Sequence, residues 1–164
     1  MLKKALSYLD HTVELCIFAI FVAMVIVGGM QVFNRFVLNQ SLSWSEEFQK
    51  FSHIWLIFLT IPVGYHRGSH IGMNMLVGKF PENVQKFIIL ITDIMWLGLA
   101  VAIVTYTHVI MRVARRQTSP GLGLRMDLVY LGVMLGGIYL AIVALRKIGG
   151  HVLERRSIQQ QKLA

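Results

Sequence analysis

Long uncharged runs separated by short charged stretches set the pattern of this chain. Four runs occur: 15–34 between Glu14 and Arg35, 51–66 between Lys50 and Arg67, 94–111 between Asp93 and Arg112, and 128–145 between Asp127 and Arg146. Apolar stretches of about 18 residues mark helices that cross a bilayer. The pattern therefore predicts an all-α integral membrane protein, a bundle of four transmembrane helices with spans near 12–33, 45–66, 87–111 and 127–146. What remains is too short and broken for a folded soluble head, so 1–164 is expected to form a single membrane domain.

The second run is the exception, because its 16 uncharged residues rise only about 24 Å. The helix must reach into the polar stretch ahead of it. Ser43 is placed to cap it, with Glu46 three residues on returning to the cap's N–H, so the start falls near Trp44. Glu46 and Lys50 then lie one turn apart in the favourable order, and the added turn is an interfacial extension. Pro62 removes the hydrogen bond to the Phe58 carbonyl, which predicts a kink or break, with Thr60 and Gly64 nearby to accommodate it. Pro81 is placed to open the third helix, and Ser119-Pro120-Gly121 reads as a turn before the fourth. Gly132 and Gly136 on the fourth helix, and Gly98 and Ala102 on the third, have the small-residue spacing that lets helix backbones approach closely.

Composition agrees with a membrane class: 55% of the 164 residues are hydrophobic and 15% charged, too apolar for an ordinary soluble domain. The net charge of +8 raises the question of nucleic acid, but the cations sit at the ends of apolar runs, where they meet lipid headgroups, and no basic stripe interleaves with aromatics. Nucleic acid is not an expected partner; lipid is. On the side of the termini Lys3, Lys4, Arg67, Lys79, Lys86, Arg146, Lys147, Arg155, Arg156 and Lys162 make ten, against six on the other (Arg35, Lys50, Arg112, Arg115, Arg116, Arg125). The positive-inside rule then puts both termini in the cytoplasm. Lys3 and Lys4 ahead of an apolar stretch resemble a signal peptide, but Asp10 and Glu14 intervene and no small-residue cleavage site follows, so an uncleaved anchor is expected. Cys16 is the only cysteine, which leaves no intrachain disulfide and no cysteine-rich metal site.

Asp93 and Glu14 sit at run edges, where a headgroup-level or intersubunit hydrogen bond suits them better than an ion site. A four-helix homodimeric exporter using Glu14 as its proton-coupled acid stays open as a rival. So does a haem-bearing oxidoreductase subunit using His53 and His108, although His53, His66 and His108 lack ligand spacing. With no phosphate loop, nucleophile elbow or carboxylate dyad, neither an enzyme nor a bound cofactor or metal is expected. The stretch from Arg35 to Glu47, with Trp44 beside two adjacent acids, reads equally as a membrane-surface anchor or a docking surface.

The succession Arg35-Phe36-Val37-Leu38-Asn39, Leu42, Trp44-Ser45-Glu46-Glu47, Trp55, Arg67 and His70-Ile71 resembles the small membrane subunit of tripartite ATP-independent periplasmic (TRAP) transporters. Gln117-Thr118-Ser119-Pro120, Leu122-Gly123 and Tyr130 are similar to that family's later motif. Lys50 stands where Arg is expected after the paired acids, and Arg125 where Pro usually precedes the fourth helix. The resemblance implies a scaffold in the bacterial inner membrane, beside a large polytopic subunit that moves an organic acid inward with sodium after a periplasmic binding protein delivers it. It further implies a partner interface drawn from Arg35, Asn39, Trp44, Glu46, Glu47, Lys50, Trp55, Arg67, His70, Ser119, Pro120 and Tyr130. Which acid is carried would belong to the other two components.

Overall fold

The computed structural model describes residues 2–67 and 80–163. Four helices account for nearly all of them: α1 (Leu2–Phe36), α2 (Ser43–His66), α3 (Glu82–Ala114) and α4 (Met126–Leu163). Three contain stretches long and apolar enough to cross a membrane, Leu6–Phe36, Val84–Ala114 and Met126–Gly150. α2 is less apolar because Gln49, Lys50, His53, Tyr65 and His66 share its length. At 24 residues it still rises about 36 Å.

The helices pack as a row rather than a closed bundle. α1 lies along α2, α2 along α4, and α4 along α3. The firmest burial is on α4, where Tyr139, Leu140, Val143 and Ala144 meet Tyr65 of α2 and Ala100 of α3. A row has fewer internal contacts than a bundle, and it leaves Phe18, Phe21 and Val25 of α1 and Met95, Val101 and Tyr106 of α3 facing outward.

Two small residues set the α2–α4 approach. A methyl at Gly132 would come within 2.5 Å of the Trp55 ring, and one at Gly136 would collide with the Phe58 carbonyl. That carbonyl is the one Pro62 deprives of its helical N–H. Pro62 neither ends nor breaks α2, which runs unbroken to His66. The freed carbonyl lies against the backbone of Gly136, where the two helices approach closely.

The start of α2 also differs from the capping box expected at Ser43. Ser43 is already the first helical residue, Leu42 holds the cap position in an extended conformation, and no side chain caps the helix. Ser45, fully buried, returns its hydroxyl to the Leu42 carbonyl at 2.7 Å. Glu46 is exposed, and Glu47 is turned toward the α3–α4 loop. α3 opens directly after Pro81, whose φ of −56° suits a helix entry.

Candidate functional site

At the loop end, where α1 joins α2 and α3 joins α4, the connection between α3 and α4 is tightly folded. Ser119 N–H donates to Leu124 O, Met126 N–H to Gln117 O and Gly123 N–H to Ser119 O, with distances of 2.8–3.0 Å. Gly123 takes φ +65°, a left-handed position that suits glycine. Thr118 and Arg125 pair as an isolated bridge. Arg125 reaches Asp127 through Nε at 3.2 Å and Nη2 at 2.6 Å, and Arg115 approaches the same carboxylate at 3.4 Å. Arg125 thus ties down the entry to α4.

This folded loop leans on the start of α2. The Leu122 N–H donates to Glu47 Oε2 at 2.9 Å, and Gly121 lies so close to the Glu47 carboxylate and the Ser43 carbonyl that a Cβ would press on both at 3.0–3.1 Å. Glu47 stands ahead of the apolar run that begins at Phe51. Burial opposes its ionisation but is outweighed by the Leu122 and Gly121 amides and by Lys50, which hold its carboxyl below the ordinary carboxylate range. Glu47, Lys50, Gln117, Ser119 and Pro120 line a hollow of about 440 Å³ beside this clasp.

The other expected interface residues fall in different places. Arg35 and Asn39 are exposed, and Asn39 takes φ 51° in the turn between α1 and α2. Trp44 packs edge-on against Phe48, ring centroids 6.4 Å apart. Trp55 fills the space over Gly132, inside the α2–α4 contact. Ser119 is buried, Pro120 exposed and Tyr130 half-buried. Arg67 lies at the opposite end of the molecule, paired with Glu14 at 2.5 Å. His70 lies outside the described residues. Gly98 is exposed, with no described atom within 4 Å of where a Cβ would project, while Ala102 is half-buried.

The terminal end carries a polar network that no motif in the sequence signals. Asp10 of α1 accepts from the Tyr139 hydroxyl at 2.9 Å and from Arg146 Nη1 at 3.0 and 3.1 Å, both on α4. Asp93 is 3% exposed and accepts from the Tyr65 hydroxyl at 2.6 Å. Lys147 donates to the Tyr65 carbonyl at 2.6 Å and sits 4.0 Å above its ring, while Trp96 stacks at 5.1 Å on the same tyrosine. Side chains of all four helices meet here.

These contacts bear on the rival chemistries. Glu14, the acid an exporter would use, is occupied by Arg67. His53 and His108 are both exposed, and among the described residues no group of His, Cys, Asp and Glu could hold a metal ion.

Residues 24–153 match the DctQ component of tripartite ATP-independent periplasmic transporters. A TRAP transporter small permease protein of Haemophilus influenzae is 24% identical over 148 residues, covering 90% of this chain and 92% of its own. The sialic acid TRAP transporter small permease protein SiaQ of Vibrio cholerae is 23% identical over 153 residues, covering 90% of this chain and 84% of its own. The isethionate TRAP transporter permease protein DctMQ of Oleidesulfovibrio alaskensis is 28% identical over 111 residues, 66% of this chain and 18% of that much longer protein. The chain therefore belongs to the small permease (DctQ) family of TRAP transporters, as a multi-pass inner-membrane transport component and not an enzyme.

Proposed function

We propose that this chain is the stationary scaffold of a sodium-driven, binding-protein-dependent transporter for a small organic acid, forming one membrane domain that crosses the bilayer four times. Its partners are a large polytopic subunit, which carries substrate and sodium, and a periplasmic binding protein. The observation that carries the scaffold reading is the use made of its acids. Asp10, Glu14, Glu47, Asp93 and Asp127 each bond another residue of this chain. Acids engaged in this way fix helix positions; a carrier would leave one turned toward a pathway.

α2 supplies the fourth crossing, with Ser43 to Lys50 as its interfacial turn. The positive-inside bias supports cytoplasmic termini, which makes the loop end periplasmic. There the clasp between Glu47 and the α3–α4 loop, with exposed Arg35, Asn39, Glu46, Lys50 and Pro120 around it, helps receive the binding protein. The small residues Gly98 and Ala102 of α3, with open space where a Cβ on Gly98 would project, meet a helix of the large subunit. The DctMQ relative, by its printed name a single permease protein of far greater length, supports such a partner. Relatives named for sialic acid and for isethionate, a carboxylate and a sulfonate, support an organic anion as substrate.

Reconstitution tests this. Tagged chain should co-purify with a large membrane subunit. Proteoliposomes holding both, given loaded binding protein, should accumulate an organic acid only under an inward sodium gradient. Uptake by the large subunit at an undiminished rate without this chain, or proton-coupled efflux by this chain alone, defeats the reading.

A further inference from the structure

Because α1 packs along α2 and touches α4 chiefly through the Asp10 cluster, a groove opens between α1 and α4 with α2 as its floor. Its volume is about 670 Å³. α1 contributes Leu9, Val13, Cys16 and Ile20, α2 contributes Trp55 and Leu59, and α4 contributes the length from Leu128 to Ile142. Thr12, one of its few polar residues, has its hydroxyl bonded to the Tyr8 carbonyl.

Dimensions and charge select the occupant. The groove's α1 wall, from Leu9 to Ile20, rises about 16 Å, the depth of one leaflet. At the terminal end the apolar lining stops at Leu9, Tyr139 and Ile142, and the next residue in line on α4 is Arg146, one turn beyond Ile142. Among the described residues only Nη1 of Arg146 is engaged, with Asp10, which leaves the other edge of the guanidinium facing outward. Arg67 and Lys147 stand at the same end. A guanidinium at headgroup level, at the mouth of an apolar slot one leaflet deep, complements a phosphate carrying an acyl chain.

We propose that the groove between α1 and α4 is a phospholipid site, with the phosphate on Arg146 and one acyl chain lying between Leu9 and Ile20 of α1 and Leu135 and Ile142 of α4. The lipid comes from the leaflet on the side of the termini. It fills a space that would otherwise cost the packing of its apolar walls, and it completes the α1–α4 contact that the row leaves open.

The test uses the full chain, purified in mild detergent together with any large subunit it retains. Native mass spectrometry after delipidation and reloading with phosphatidylglycerol or phosphatidylethanolamine should find one phospholipid held per chain. Ala19→Trp, which fills the groove, should cut that occupancy about tenfold, and Arg146→Gln should weaken it for both lipids. Equal retention by wild type and Ala19→Trp overturns the proposal. A second measurement needs no variant: a phospholipid carrying a photoreactive acyl chain, reconstituted with wild-type chain, should label 9–20 and 128–142 well above the exposed α3 face at Met95 and Tyr106. Even labelling overturns the site. So does a Cys16 crosslink to a helix of the large subunit, which would make the groove a protein interface. Co-assembly is read on the same material, so a missing lipid in an intact complex removes this site and leaves the scaffold reading standing.

Discussion

At the scale of single residues, the two ion pairs at the terminal end invite different expectations. Arg67 and Glu14 are 62% and 39% exposed, a surface pair, and such pairs contribute at most about 1 kcal/mol. Asp10 and Arg146 are 17% and 29% exposed, and Asp10 also takes the Tyr139 hydroxyl. Removing Asp10 strands a cation and a phenol together. Asp10→Ala should therefore cost about 2 kcal/mol and Glu14→Ala less than half of that, read as the difference in thermal unfolding midpoints in one detergent. Equal shifts would mean that the Asp10 cluster is no more than a surface pair. Gly136→Ala makes the complementary case. Its methyl meets a backbone carbonyl, which cannot swing aside as a side chain can, so a loss of about 1–3 kcal/mol is expected from one added carbon. The sequence showed that Gly132 and Gly136 had the spacing for close approach; it held no sign that the approach would be onto the carbonyl Pro62 sets free. Asp10 and Arg146 are 136 positions apart, and no periodicity within one helix can join residues of different helices.

At the scale of elements, the helices were legible because a bilayer demands long apolar runs, and those runs are the strongest pattern a sequence carries. Their ends were less so. The capping box expected at Ser43 depends on one rotamer of Glu46, and the folded chain instead turns the neighbouring Glu47 to the Leu122 amide. That choice depends on a loop 75 positions away, which is why reading the local motif alone missed it. The clasp has a measurable pH signature. With the folded Glu47 pKa lowered, the contribution is fully present above the ordinary carboxylate range and is lost as pH falls through the lowered value. The Leu122 amide proton shift should stay constant from neutral pH into mild acid and move only below the ordinary range. In Glu47→Gln it should not titrate at all. A Leu122 shift that moves within the ordinary range in the wild type would show that the carboxylate is not held by the loop.

At the scale of the whole molecule, the sequence predicts four helices but not a row, because the count of runs is a local property and their packing order is not. The row has a consequence for α3. Among the described helices its main neighbour is α4, with α2 touching it through Tyr65, and the Gly98 position has no described atom within 4 Å of a projected Cβ. A glycine in mid-helix costs about 0.5–1 kcal/mol relative to alanine, so at an open position the isolated chain gains nothing from keeping it. A partner's backbone coming close there would offset the cost. Gly98→Leu separates the two situations. In the purified chain it should leave the unfolding midpoint unchanged or raise it slightly, since the side chain enters open space beside lipid or detergent. In the assembled transporter the same leucine stands between two backbones, and recovery of the large subunit in a pull-down should fall about tenfold, with uptake falling in proportion. Gly136→Ala should do the reverse, unsettling the chain before any partner is met. A Gly98→Leu chain that assembles as well as wild type would move the partner to another face of the row, with the outward side of α1 around Phe18 and Val25 the next to be tested by the same substitution logic.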